Sequence, residues 1–217
     1  MKNKKIGLND AYSLKTPKDS IKLYKNWATT YDKEFATKSK YNSPLKIVNY
    51  FNKYSNINDT PILDVGAGTG LIGKYLNKKK DKDIIGIDIS SEMLKEANLK
   101  KSYSSLLEVD ITKKIPFESN LFGSVISSGT FTLGHVGPEA LDELLRVIKP
   151  GGIFVISIHT EVFLKEGFKE KFLEIKNKIT KPIFHSFKIF GKNSDKLHGN
   201  VKSLAAIFRK NNEFTKI

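Results

Sequence analysis

Short apolar runs alternate with amphipathic stretches through the middle of this 217-residue chain, and the alternation predicts strands followed by helices. Ile62-Leu63-Asp64-Val65 is an apolar run that ends among glycines, and Leu71-Ile72-Gly73-Lys74-Tyr75-Leu76 after it reads as a helix. Residues 84–89 form a second apolar run, after which Ser90 caps a helix carrying Met93, Leu94 and Ala97 on one face. Residues 106–111, 123–127 and 152–159 read as the third, fourth and fifth strands. Gly137-Pro138 opens a helix that Pro150, Gly151 and Gly152 end. Such alternation argues for an α/β fold with a parallel sheet covered on both faces. A helix over 167–178 carries Phe168, Phe172 and Ile175. Residues 183–190 and 201–209 then read as two closing strands with nothing helical between them, hence an antiparallel hairpin.

The start of the chain is less regular. Residues 1–20 show no clear periodicity and are expected to be partly disordered or to fold over the site as a flap. Residues 21–35 place Tyr24, Trp27, Tyr31 and Phe35 on one helical face, as a packing stripe or as a cap over a site. Ser43-Pro44 starts the next helix, with Leu45, Val48 and Phe51 as its apolar face. The expected organisation is a cap over residues 1–42 and a compact domain over 43–217.

Charge and composition narrow the classes. The net charge of +14 comes from the ends: residues 1–60 and 151–217 carry +7 each, while residues 61–150 are neutral. A basic rim could steer an anionic small molecule or RNA. Equally, the excess could reflect general lysine usage in a chain with two arginines. With no cysteine, disulfides, thiolate metal sites and a cysteine nucleophile are excluded. No apolar run is long enough to serve as a signal peptide or to span a bilayer, so a cytoplasmic protein without a membrane span is expected.

The chemistry centres on Gly66-Ala67-Gly68-Thr69-Gly70. Glycines let a chain turn tightly and let a ligand lie against its backbone. A dinucleotide fingerprint, G-x-G-x-x-G/A, would need a small residue at Leu71. Asp64 would also repel a pyrophosphate, whereas a cationic ligand would tolerate it. A glycine-rich turn holding no ligand is the plainer alternative. Two more acids, Asp88 and Asp110, stand at or beside strand ends.

The spacing Asp64-x-Gly66-x-Gly68-x-Gly70 resembles motif I of the class I S-adenosylmethionine (SAM) methyltransferases. Residues 84–89, 106–111 and 144–152 resemble later motifs of that family in the same order. The resemblance implies a Rossmann-like, doubly wound, seven-stranded, mostly parallel sheet with an antiparallel last strand. It implies that Asp88 takes the ribose hydroxyls, that Ile89 and Met93 pack near the adenine, and that Asp110 and Ile111 bind its edge. Asp64, Gly66, Ala67, Gly68, Thr69, Gly70, Tyr31 and Ser128 complete the implied cofactor set. Beyond the fourth strand, His135 is the candidate general base, with Trp27, Thr130 and Phe131 toward the acceptor.

Residues 23–32, 134–136 and 207–210 are more loosely similar to the methyltransferase-like proteins of the Williams–Beuren critical region. The expected function is SAM-dependent methylation of a small molecule, giving S-adenosylhomocysteine (SAH). An RNA- or ribosome-directed methyltransferase and a non-catalytic SAM-binding subunit are the alternatives. The N/D-P-P-Y/F motif of nucleic-acid amino methyltransferases is missing after the fourth strand, which counts against a nucleic-acid acceptor.

Overall fold

The computed structural model describes residues 6–78, 81–191 and 200–212. The basic start at residues 1–5 and Lys79-Lys80 lie outside the described residues. Seven strands form one sheet: β1 (Ile62–Val65), β2 (Ile84–Asp88), β3 (Ser105–Glu108), β4 (Phe122–Phe131), β5 (Ile148–His159), β6 (Ile183–Lys188) and β7 (Lys202–Arg209). Their order is β3-β2-β1-β4-β5-β7-β6. Pairings from β3 through β5 are parallel, and β7 runs antiparallel to both β5 and β6. This is the α/β sheet the sequence predicts, down to the antiparallel last strand.

Central strands read as nearly unbroken apolar runs because both of their faces are covered. Alternate residues divide between two cores. Leu63, Val65, Phe154 and Ile156 pack on one face with α5 (Ala140–Val147) and α6 (Phe168–Glu174). Ile62, Ile84, Ile153 and Val155 pack on the other with α3 (Ser43–Tyr54) and α4 (Leu71–Leu76). On α3 the buried stripe runs through Ile47, Val48 and Phe51, while Leu45, expected there, is 40% exposed. Arg209 pins the sheet's last strand to the loop before β1. Its guanidinium donates to Asp59 Oδ1 at 2.7 Å and Oδ2 at 3.0 Å, and to the carbonyls of Gly151 and Tyr54. The geometry is bidentate and Asp59 is buried, so this pair is a structural clamp.

The N-terminal segment is more ordered than its sequence suggests. The short helix α1 (Leu8–Tyr12) leads to α2 (Pro17–Thr30). Thr16 and Asp19 form a capping box at the start of α2, with Thr16 Oγ1 accepting from Asp19 N and Asp19 Oδ2 accepting from Thr16 N. The helix expected to run to Phe35 stops at Thr30, and Tyr31–Thr37 continue as a wider π-helical turn. That turn keeps Tyr31 and Phe35 against Trp27, at ring separations of 4.9 Å and 5.2 Å.

β4 and β5 are both longer than expected. β4 continues to Phe131 through a register shift between Ser127 and Phe131, where Gly129 takes φ +85°. A positive φ at a bulge suits glycine. The residues expected to form a loop after the fourth strand are therefore partly held in the sheet. Strand order reverses between β1 and β4, and in open α/β sheets ligands bind at such a switch point, outside the carboxyl ends of the strands. Among the described residues, no helix is long and apolar enough to cross a membrane.

Candidate active site

At the switch point a cavity of about 230 Å³ opens between the C-terminal ends of the strands and the N-terminal helices. Ser127 and Thr130 from β4 both donate to the Val65 carbonyl of β1, at 2.7 Å and 2.9 Å, and close the floor. The Ser127 and Thr130 hydroxyl oxygens lie 3.0 Å apart. A Cβ added to Gly66, which has φ +68°, would lie 2.0 Å from that Thr130 oxygen, so the glycine is needed for conformation and for space. Thr130, expected to meet the acceptor, is thus a prop beneath the glycine loop. Phe131 belongs to the core as well as the wall: it is fully buried, with its ring 5.7 Å from that of Phe168.

Gly66, Ala67, Gly68 and Thr69 line the cavity together with Asp88, Ile89, Met93, Asp110 and Ile111. Asp88 Oδ2 accepts from Gly68 N at 2.8 Å and Oδ1 from Ser90 N at 2.9 Å. Each oxygen keeps further acceptor capacity. Burial pushes this carboxyl's pKa up, against the backbone N–H groups of Ser90, Gly68 and Ile89. A Cβ on Gly68 would meet nothing closer than the Gly66 carbonyl at 4.0 Å, so the loop presents open backbone there. An acid with spare acceptor capacity, a bare glycine loop and the apolar Ile89, Met93 and Ile111 fit an adenosine. Asp110 is more occupied. Its Oδ1 accepts from Thr112 N and Oγ1, and Oδ2 pairs with Lys113 at 3.1 Å. Burial opposes ionisation there, but the Thr112 and Lys113 contacts outweigh it and lower the pKa.

Two residues of the expected cofactor set stand behind the loop rather than on the cavity wall. Gly70 packs toward Ala97 and Tyr103. Asp64 is fully buried, and its Oδ2 accepts from Tyr103 Oη at 2.7 Å. Tyr103 in turn accepts from Gly73 N, so the pair braces the turn into α4. Burial, partly offset by the Tyr103 bond, pushes the Asp64 carboxyl up to about 7 from 3.8. A folded-state pKa raised in this way gives stability that is full below about pH 4 and is lost as pH rises through about 7. Asp64→Asn should remove that loss. Melting temperatures of both proteins at pH 5 and pH 8 check this, with the variant gaining relative to the parent at the higher pH. An equal difference at both pH values would mean that Asp64 does not titrate in this range.

The N-terminal segment is tied to the cavity by specific bonds. Thr69 Oγ1 donates to Asp32 Oδ1 at 2.6 Å, and Lys100 pairs with Asp32 Oδ2 at 2.7 Å. Tyr24, Trp27 and Tyr31 line the cavity, Trp27 being 2% exposed and stacked on Tyr24. His135 also lines it, with Nδ1 2.8 Å from the Leu133 carbonyl and Nε2 2.7 Å from Tyr24 Oη. A carbonyl can only accept, so Nδ1 carries the proton and Nε2 accepts from the tyrosine. Burial lowers the His135 pKa, keeping the ring neutral near pH 7. His135 therefore faces the cavity through Tyr24. Sequence reasoning missed this partner, as it missed Asp32, Tyr41, Ser43 and Tyr103. Asp32 had a signal in its adjacency to Tyr31, but nothing local marks the rest. Ser128 Oγ, on β4, lies 2.8 Å from Ser43 Oγ, with β1 between its strand and the Asp88 end of β2. Among the described residues, no three His, Cys, Asp or Glu side chains could hold a metal ion.

Residues 63–156 match the family model of a methyltransferase domain. The chain is 29% identical over 143 residues to human Methyltransferase-like protein 27, covering 64% of this chain and 58% of that protein. It is 32% identical over 164 residues to an uncharacterized protein of Methanocaldococcus jannaschii, covering 73% of this chain and 60% of the other. The chain thus spans less than two thirds of the length of these curated relatives. A TehB-like SAM-dependent methyltransferase of Corynebacterium glutamicum superposes with a TM-score of 0.57 at 19% identity, covering 90% of this chain and 100% of that one, a likeness of fold. Residues 63–156 thus match a methyltransferase domain, and the sheet order and the glycine loop agree with that match.

Proposed function

We propose that this protein transfers a methyl group from SAM to a small-molecule acceptor. The observation that carries the reading is that one cavity joins the Asp88 and glycine-loop wall to the Tyr24–His135 pair. Gly66–Thr69, Asp88, Ile89, Met93 and Ile111 would hold the cofactor, with Asp110 at its edge. SAM supplies an electrophilic methyl group on a cationic sulfur. Trp27 and Tyr31 offer aromatic faces suited to that cation. Ser128 is better placed for the acceptor, beside Ser43. Asp64 acts on the site through Tyr103 and the loop.

Methyl transfer needs the acceptor atom held close and in line, and a base when that atom must lose a proton. The acceptor's proton would pass to the Tyr24 oxygen as the Tyr24 proton passes to His135 Nε2, leaving an imidazolium. A concave cavity of about 230 Å³ partly covered by the N-terminal helices favours a small molecule over a nucleic acid. The cap's bonds to Thr69 and His135 also predict a ligand effect. Saturating SAM should slow protease cleavage within residues 6–42, because a ligand that binds the closed form stabilises it by mass action. Timed proteolysis with and without SAM is the test, and equal cleavage rates would refute the cap.

A further inference from the structure

We infer that the methyl acceptor is an electrically neutral, hydroxyl-bearing small molecule seated on an uncharged wall of hydroxyl groups. The inference rests on the methyltransferase reading and narrows its substrate class. The wall lies at the ends of β4, β5 and β7 and comprises Tyr12, Tyr41, Ser43, Ser128, Ser157 and Ser203, all lining the cavity. Its members are tied together. Ser43 and Ser128 share a hydrogen bond at 2.8 Å, and both side chains lower the pKa of the Tyr41 hydroxyl against its burial. A Cβ on Gly129 would come within 2.8 Å of that same hydroxyl, and Gly129 N donates to Ser157 Oγ at 3.1 Å. Ser203 stands opposite His159 in the β5–β7 ladder, and the Tyr12 ring packs edge-on against His159 at 5.6 Å.

None of these six side chains carries a charge at neutral pH. Burial raises the pKa of Tyr12 and Tyr41, which holds both phenols protonated. Among the described residues lining the whole cavity, the charged side chains are Asp88 and Asp110 on the cofactor wall and Lys15, which is exposed at the rim. A carboxylate or phosphate on the acceptor would be desolvated against this wall, none of whose six side chains is a cation that could pair with it. An ammonium group would lack a carboxylate partner. Hydroxyls both donate and accept, so a neutral hydroxyl or carbonyl group finds a partner in either sense. Of the lysines in the basic chain ends, which suggested an anionic acceptor, Lys15 alone lines the cavity among the described residues, and it is exposed.

The test uses isosteric probes on the SAH-saturated protein. p-Cresol (neutral), p-toluate (anionic) and benzylamine (cationic) are titrated separately and followed by the amide resonances of Ser128, Gly129 and Ser157. p-Cresol should shift these resonances and bind at least tenfold more tightly than either charged probe. Tyr41→Phe, judged folded by its spectrum, should weaken p-cresol several-fold and leave SAH binding unchanged. Equal or tighter binding of p-toluate or benzylamine would overturn the inference, and so would failure of p-cresol to bind. If SAH itself does not bind, the methyltransferase reading fails first, and the two failures are distinguishable.

Discussion

His135→Ala should cut methyl transfer by roughly 10²-fold while leaving SAM affinity within a few-fold, since a positioned general base contributes about 10²–10⁴. The ring touches the cavity through Tyr24 and is held in one tautomer by the Leu133 carbonyl. Its removal takes away the proton's destination but none of the Asp88 wall. Tyr24→Phe should lower the rate in the same direction, because it breaks the bond through which the ring acts. The pH dependence has a definite sign. A base must be neutral to work, and burial lowers the His135 pKa from 6.5. The wild-type rate should therefore rise with pH and level off below about 6.5, and the rise should vanish in His135→Ala. Single-turnover rates from pH 5 to 8, with a neutral hydroxyl acceptor, decide it. If His135→Ala turns over at the wild-type rate, proximity and alignment carry the reaction without a base.

The parts of the fold that were legible in the sequence are those fixed by burial on two sides. Residues 62–65 and 84–88 are apolar apart from Asp64 and Asp88 because helices cover both faces of those strands, and the glycines after β1 mark a turn that larger residues could not make. The register of β4 was not legible. Its continuation past Ser127 depends on pairing with β5 and a bulge at Gly129, which no local pattern encodes. The first 20 residues looked irregular because α1 has five residues, too few for a periodic signal, although the Thr16–Asp19 box was present in the sequence.

For the site, adjacency governed what could be read. Gly66–Thr69 and Asp88 are brought to one wall by the βαβ unit itself, so spacing along the chain reports their placement. Tyr24 and His135 are 111 positions apart, and Asp64 and Tyr103 are 39 apart. Those partnerships exist only in the folded packing. They alter the site: His135 is hydrogen-bonded to Tyr24, and Asp64, expected to meet the ligand, is a buried brace bonded to Tyr103. Thr130 likewise became a support for Gly66, through a close approach that composition does not reveal.

The central claim is that the Asp88 wall binds SAM, and calorimetry on the wild-type protein and Asp88→Ala tests it most directly. Asp88 holds Gly68 N and Ser90 N and keeps acceptor capacity toward the cavity. Hydrogen bonds to a charged acceptor are worth roughly 1.5–3 kcal/mol, and about 1.4 kcal/mol is a tenfold change in affinity. The account predicts saturable SAM binding by the wild type and at least tenfold weaker binding by a folded Asp88→Ala. Unchanged affinity in that variant, or no SAM binding by the wild type, would contradict it.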